Sequence, residues 1–139
     1  MAKNVLKINY DDELDFLLFG ISSGFKDYRI CYEINLALDI NLARTEEHKL
    51  IVGKNNSELK YVRFEFKDEY EQQYILLCNR NEKQLLIPEL NMIDFFLMIN
   101  PAEGIEKDAV LKSIKNIELV STAFSFIPTA LKSKHNLLT

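Results

Sequence analysis

The chain has 139 residues, of which 47% are hydrophobic and 27% charged, and its formal net charge is −4. This length fits one domain, residues 1–139, with enough apolar surface to bury a core, and the composition excludes a disordered chain. Basic residues are interspersed with acids, which argues against a nucleic-acid partner, and the longest apolar runs fall short of the ~20 residues of a membrane span.

The first predicted elements are a strand and a short helix. Leu6, Ile8 and Tyr10 alternate with polar residues, which is the pattern of a half-buried strand. Asp12 then fits the N-cap of a helix in the stretch "DDELDFLLFGISS". Gly20 and the small polar residues after it are expected to end that helix.

The stretch "KDYRICYEINLALD" gives the clearest helix in the sequence. Ile30, Ile34, Ala37 and Leu38 fall at spacings that place them on one helical face. Asp27 precedes them at a position suited to an N-cap.

The other faces of this helix carry charged and aromatic residues. Arg29 and Glu33 are four residues apart, so the spacing predicts an ion pair within the helix. Tyr28 and Tyr32 do not fit the apolar face, and their hydroxyl groups need water or a partner.

The middle of the chain is typical of an antiparallel meander. A weakly extended "INLARTEEHKLIV" is followed by three stronger strand patterns: "LKYVRFEF", "QQYILLCN" and "QLLI". Short polar turns separate the three strong runs. The second run is apolar on both faces, which predicts a central strand.

Pro88 interrupts the most apolar stretch, "LLIPELNMIDFFLMIN". It donates no backbone hydrogen bond, so the preceding strand is expected to stop there, and a new strand is predicted over residues 93–99. A helix that opens at Pro88 is the competing interpretation. In the strand interpretation one face carries Asp94, Phe96 and Met98, and the other carries Ile93, Phe95, Leu97 and Ile99.

The C-terminal part predicts an amphipathic helix in "GIEKDAVLKSIKNI", a strand in "ELVSTAFSFI" and an irregular tail tethered by Leu137 and Leu138. The predicted fold class is therefore α+β. It consists of an antiparallel or mixed β-sheet with about three helices packed mainly on one face.

Glu89 and Asp94 are the carboxylates of the apolar stretch, and an acid–base pair is one interpretation of them. Their spacing of five residues puts them on different faces of either a strand or a helix, which argues against convergence. The favoured interpretation is structural: Glu89 lies beside a proline turn, and Asp94 accepts backbone N–H groups or blocks pairing at a sheet edge.

Histidine and cysteine give no strong signal of chemistry. His48 and His135 lie in polar surroundings without a metal-ligand spacing, so both are expected to be exposed. Cys31 and Cys78 lie among apolar residues, which favours reduced core thiols in a cytoplasmic protein. A nucleophile formed by Cys31 with His48 is the less favoured alternative, because a reactive thiolate needs an electropositive, open setting. No catalytic residue, metal ligand or cofactor site is predicted.

Several predicted strands are apolar on both faces, and helices on one side would leave Phe96 and Met98 uncovered. A symmetric homodimer that buries this patch is one solution. Coverage of both faces within one chain is the other.

Three stretches resemble the bacterial IPExxxVDY family. Residues 87–95, "IPELNMIDF", are similar to its signature, with Ile93 and Phe95 in place of the Val and Tyr; residues 20–35 and 131–138 resemble it as well. No activity, substrate or catalytic residue is assigned to the family. The resemblance implies a single intact domain and gives no chemistry.

Three functional hypotheses follow. The first is a non-enzymatic interaction or structural module, a homodimer or a binder of another protein, with Pro88, Glu89, Asp94, Phe96 and Met98 as candidate interaction residues. The alternative is a small-molecule-binding regulatory domain, by loose analogy with ACT and other ferredoxin-type modules. An enzyme is the third, and the sequence contains no motif for one.

Overall fold

The computed structural model describes residues 14–138. The predicted strand at Leu6–Tyr10 and the predicted N-cap Asp12 lie outside this range. Within it, the chain forms two α-helices, eight strands and three short 3₁₀ helices. The elements are β1 (Leu17–Ser22), α1 (Asp27–Leu38), β2 (Ala43–Arg44), β3 (His48–Val52), β4 (Ser57–Tyr61), β5 (Arg63–Lys67), β6 (Gln73–Cys78), β7 (Phe95–Asn100), α2 (Lys107–Lys115) and β8 (Thr122–Phe126), with 3₁₀ turns at Pro88–Leu90, Pro128–Ala130 and Lys134–Leu137.

Six strands form one sheet in the order β2-β5-β6-β7-β1-β8, and every adjacent pair is antiparallel. β3 and β4 form a separate hairpin. β7 and β8 both run antiparallel to β1, which lies between them, so the unit β7-α2-β8 is a split β-α-β. Strands β1, β6, β7 and β8 with the two helices follow the ferredoxin-like order β-α-β-β-α-β. The predicted antiparallel sheet is confirmed.

The predicted helix that ends at Gly20 is wrong, because residues 17–22 form β1, which lies between β7 and the edge strand β8. Phe19 and Ile21 point into the core on one face, whereas Leu18 points into the core on the other. A short run that is apolar at every position fits a doubly buried strand as well as a buried helix, and periodicity does not separate the two.

Both α-helices pack against the same face of the sheet. α1 buries Ile30 and Ile34 there, and α2 buries Ile114, all in one apolar cluster with Phe19 and Leu97. The helical predictions for these two segments are confirmed, and the two α-helices of residues 14–138 are slightly fewer than the expected number of about three. Neither α-helix in residues 14–138 is long and apolar enough to cross a membrane.

Within residues 14–138, it is not an α-helix that covers the opposite face of the sheet. Its cluster contains Leu59 and Tyr61 from the β3–β4 hairpin and Leu137 from the C-terminal segment. Phe96 is 0% and Met98 5% exposed, so the expectation that these two residues form an open patch is wrong. The alternative, coverage of both faces within one chain, is what the structure has.

The stretch around Pro88 combines both interpretations of the sequence. Pro88 opens a single 3₁₀ turn, and the strand begins seven residues later at Phe95. The predicted "QLLI" strand is wrong, because this segment makes only an isolated bridge between Arg80 and Leu85. Its expected place beside β6 is taken by β7.

Candidate functional site

The segment between β6 and β7 is organised by Asn79, a buried residue that directly follows β6. Its side chain is 0% exposed and accepts a hydrogen bond from the Ile87 amide at 2.8 Å. Its amide nitrogen donates to the carbonyls of Leu90, at 3.1 Å, and Ile93, at 2.8 Å. Its backbone carbonyl accepts from the Leu86 amide at 2.7 Å. The only sequence signal for this role is its position at the end of a doubly apolar strand.

Asp94 has the capping role that the sequence predicted. Its Oδ2 accepts the backbone N–H of Ser23 at 2.9 Å, and its Oδ1 lies 2.8 Å from Nε of Arg80. Ser22 also donates its hydroxyl to the carbonyl of Met92 at 2.9 Å. These contacts fix the end of β1 to the start of β7.

Glu89 holds the C-terminal segment instead. Its two carboxylate oxygens accept the Ser133 amide at 2.6 Å and the Ser133 hydroxyl at 2.7 Å. Burial opposes ionisation, but the two Ser133 hydrogen bonds, assisted by Lys132, outweigh it and lower the pKa of Glu89. Glu89 and Asp94 thus bind different segments and have no shared partner among these hydrogen bonds, which does not support an acid–base pair.

The three stretches that carry the family resemblance are therefore joined by side-chain contacts. Residues 87–95 contact residues 20–35 through Asp94 and contact residues 131–138 through Glu89. We call this set of contacts the polar node. Glu89 and Asp94 make these contacts, and Pro88 precedes Glu89 in the 3₁₀ turn. Phe96 and Met98 lie instead in the apolar cluster on the sheet face opposite the helices.

His48 reinforces the attachment of the C-terminal segment. It is 1% exposed, so its predicted exposure is wrong, whereas His135 is exposed as predicted. Its Nε2 lies 2.7 Å from the Asn136 carbonyl, and its Nδ1 has no hydrogen-bond partner in the described chain. Burial lowers the pKa of His48, the Asn136 contact partly offsets this, and Arg63 lowers it further.

The cysteines lack the setting of a nucleophile. Cys31 and Cys78 are both free and buried. Burial, with Asp27 nearby, raises the pKa of Cys31 to about 11 and that of Cys78 to about 12, so the thiolate is strongly disfavoured in both. The Cys31 thiol lies 3.6 Å from the Leu42 carbonyl, while His48 contacts the C-terminal segment.

A small cleft of about 280 Å³ lies beside the polar node at the start of α1. Lys26, Asp27, Arg80 and Asp94 contribute its charged groups. This volume lies just below the ~300–1,000 Å³ of typical small-molecule sites, and two of the four charged groups neutralise each other.

The outward-facing side of α1 carries a run of exposed apolar side chains. Tyr28 is 65%, Tyr32 57% and Leu36 63% exposed, and their spacing of four residues places them in one stripe. Phe25, 47% exposed, precedes the stripe, and the Arg29 guanidinium lies 6.0 Å from its ring centre. We call Phe25, Tyr28, Tyr32 and Leu36 the α1 outer face.

Two details of α1 differ from the sequence prediction. Lys26 occupies the N-cap position without a side-chain cap, and Asp27 is the first residue of the helix. Within residues 14–138 no salt bridge joins Arg29 to Glu33. Both side chains are therefore free of the ion pair that their spacing predicted.

Comparison with known proteins gives no family for the chain. No family model matches it, and no curated protein matches it. The resemblance to the IPExxxVDY family stays a prediction.

Proposed function

We propose that this chain is a small cytoplasmic, non-enzymatic interaction or structural module that acts as a homodimer through the α1 outer face. The observation that carries the proposal is the exposure of Tyr28, Tyr32 and Leu36 along one helical stripe. Large apolar side chains grouped in this way mark interaction surfaces on soluble domains.

The fold supports this choice of surface over the one expected from the sequence. Both faces of the large sheet are occupied by apolar clusters of the chain itself, so Phe96 and Met98 are out of a partner's reach. Tyrosine suits a contact surface, because its ring buries apolar area while its hydroxyl retains a hydrogen bond.

A dilution series followed by light scattering tests the proposal. We expect the mass of two chains for the wild type, and a shift towards one chain for Tyr32→Lys combined with Leu36→Lys. Tyr70→Lys is the matched control, because Tyr70 is 82% exposed in the β5–β6 turn, away from α1. A wild-type mass of one chain at every concentration would contradict the proposal.

The second candidate is a small-molecule-binding regulatory domain. The ferredoxin-like strand order and the cleft beside Asp94 favour it, although strand order alone does not imply function. A ligand that binds only the folded chain raises its melting temperature, so a thermal-shift screen with amino acids and nucleotides tests this candidate. The absence of a shift with all compounds would count against it.

A further inference from the structure

The α1 outer face is self-complementary about its centre. Tyr28 and Leu36 lie four residues before and after Tyr32, so a two-fold axis beside Tyr32 brings each Tyr28 opposite the partner subunit's Leu36. The axis also brings Tyr32 opposite its own symmetry mate. This is the pattern of an antiparallel helix pair, since a parallel pair would place Tyr28 beside Tyr28 of the partner subunit.

The charges on the flank of the stripe favour the same direction. Arg29 precedes the centre and Glu33 follows it, and both lie to the same side of the stripe on a helix of 3.6 residues per turn. Antiparallel pairing puts Arg29 close to Glu33 of the partner subunit, once on each side of the axis. Neither group forms a salt bridge within the described chain, and the Arg29 guanidinium lies 6.0 Å from the Phe25 ring centre.

The surface at the C-terminal end of α1 can accommodate the side chain of Tyr28 from a second copy of the chain. Leu36 and Glu33 line a shallow, open cleft of about 400 Å³ between the C-terminal ends of α1 and α2. Asn116, Ser113 and Glu118 also line this cleft and offer polar groups to a phenol hydroxyl. An aromatic anchor that fills a pocket is the usual centre of binding energy in an interface.

Resting on the proposed homodimer, we infer that two chains join through an antiparallel α1–α1 pair in which Tyr28 enters the cleft between α1 and α2 of the partner subunit. Arg29 of each chain pairs with Glu33 of the other. The occupant of the α1 outer face is thus a second copy of this chain.

Engineered cysteines test the direction of the pair. Residues eight apart on a helix are separated by about 12 Å along its axis, beyond the ~7 Å between Cα atoms that a disulfide spans. We expect Tyr32→Cys to form a covalent dimer on mild oxidation. We expect Tyr28→Cys and Leu36→Cys to form one only when the two variants are mixed. The wild type is the control, because Cys31 and Cys78 are buried.

Charge reversal tests the flanking pairs without changing the apolar stripe. Arg29→Glu and Glu33→Arg each place like charges in both flanking pairs of their homodimer, so we expect about tenfold weaker dimerisation or more. A mixture of the two variants restores both attractive pairs, so we expect it to form heterodimers about as tightly as the wild type dimerises.

The outcomes separate this inference from the proposed function. A monomeric wild type would contradict both. A second outcome is a dimer that the combined Tyr32→Lys and Leu36→Lys changes dissociate, while Tyr28→Cys cross-links by itself and the charge-reversed variants do not prefer each other. This outcome would support the α1 outer face as the interface but overturn the antiparallel pair. A dimer unaffected by any α1 variant would place the interface elsewhere and overturn both.

Discussion

The two faces of the sheet are covered in different ways. On one face, α1 and α2 place regularly spaced isoleucines over the strands. On the other face, a hairpin, a 3₁₀ turn and the C-terminal segment cover an apolar cluster of similar make-up, and polar side chains hold them in position. Helices satisfy their own backbone hydrogen bonds, whereas irregular segments need side chains to do so. We therefore expect the covering of this second face, the one opposite the helices, to depend on a few polar residues.

Removal of Asn79 should have the largest effect. Asn79→Ala leaves the Ile87 amide and the Ile93 carbonyl without their Asn79 partner in a buried site, while the Leu90 carbonyl keeps the hydrogen bond from the Ile93 amide. Each unsatisfied buried group costs about 1–3 kcal/mol, so we expect the free energy of unfolding to fall by about 3 kcal/mol or more. Urea unfolding followed by far-UV circular dichroism measures it, since the chain has no tryptophan.

Asn55→Ala is the matched control for this change. Asn55 is exposed in the turn between β3 and β4, so its replacement should alter stability by less than about 0.5 kcal/mol. Equal effects of the two variants would show that the second face does not depend on Asn79.

Gly20→Ala should have the second largest effect. A Cβ at this position would lie 2.5 Å from a ring carbon of Phe126 and 3.1 Å from Ile93. These side chains, which belong to the apolar cluster on the face opposite the helices, must therefore shift. Overpacking of this kind costs about 1–3 kcal/mol. The same change at Gly24, where no atom lies within 4 Å of the added carbon, should be nearly neutral in the same unfolding assay. A Gly20→Ala protein as stable as the wild type would show that this packing is loose.

The same contrast explains what the sequence predicted. Ile30 and Ile34 in α1, and Val110 and Ile114 in α2, repeat at helical spacing, so the sequence pattern predicts both helices and their buried faces. Leu17–Ser22 is apolar without a period, and its assignment depends on having β7 and β8 on both sides. The local sequence does not predict strand pairing of this kind, because the partner strands are distant along the chain.

The candidate surfaces divide in a similar way. The capping role of Asp94 follows from residue type, and the odd placement of Tyr28 and Tyr32 was visible as a break in the apolar pattern of α1. Asn79 and His48 were missed, because only the folded chain shows that they are buried and which carbonyls they meet.

His48 should make the second face sensitive to acid. Its folded-state pKa lies below the ordinary value of 6.5, so as the pH falls through 6.5 the unfolded chain binds a proton that the folded chain still excludes. The free energy of unfolding should therefore decrease below pH 6.5 and be unaffected by this group above it. We expect a smaller effect than for the two core changes.

His48→Gln isolates this contribution, because glutamine can still donate to the Asn136 carbonyl but does not titrate. Stability measured as a function of pH should fall less steeply for His48→Gln than for the wild type. His135→Gln is the control for the other, exposed histidine. Parallel curves for His48→Gln and the wild type would show that the imidazole ionises equally in the folded and unfolded chains.

Glu89→Gln should have the smallest effect and the most local one. One of the two acceptors for Ser133 becomes a donor, and because Glu89 is exposed we expect a loss of about 1 kcal/mol or less. The folded pKa of Glu89 is lowered, so its contribution is present above the ordinary pKa and disappears as the pH falls through the folded value. The wild type and Glu89→Gln should therefore converge in stability in acid.

Hydrogen exchange should show faster opening of residues 131–138 in the Glu89→Gln variant at neutral pH. The exchange of α1 should be unchanged, because the helix-covered face has no contact with this carboxylate. Faster exchange in both regions would mean that the two faces of the sheet open together. The coverings of the two faces would then differ in structure but unfold as one cooperative unit.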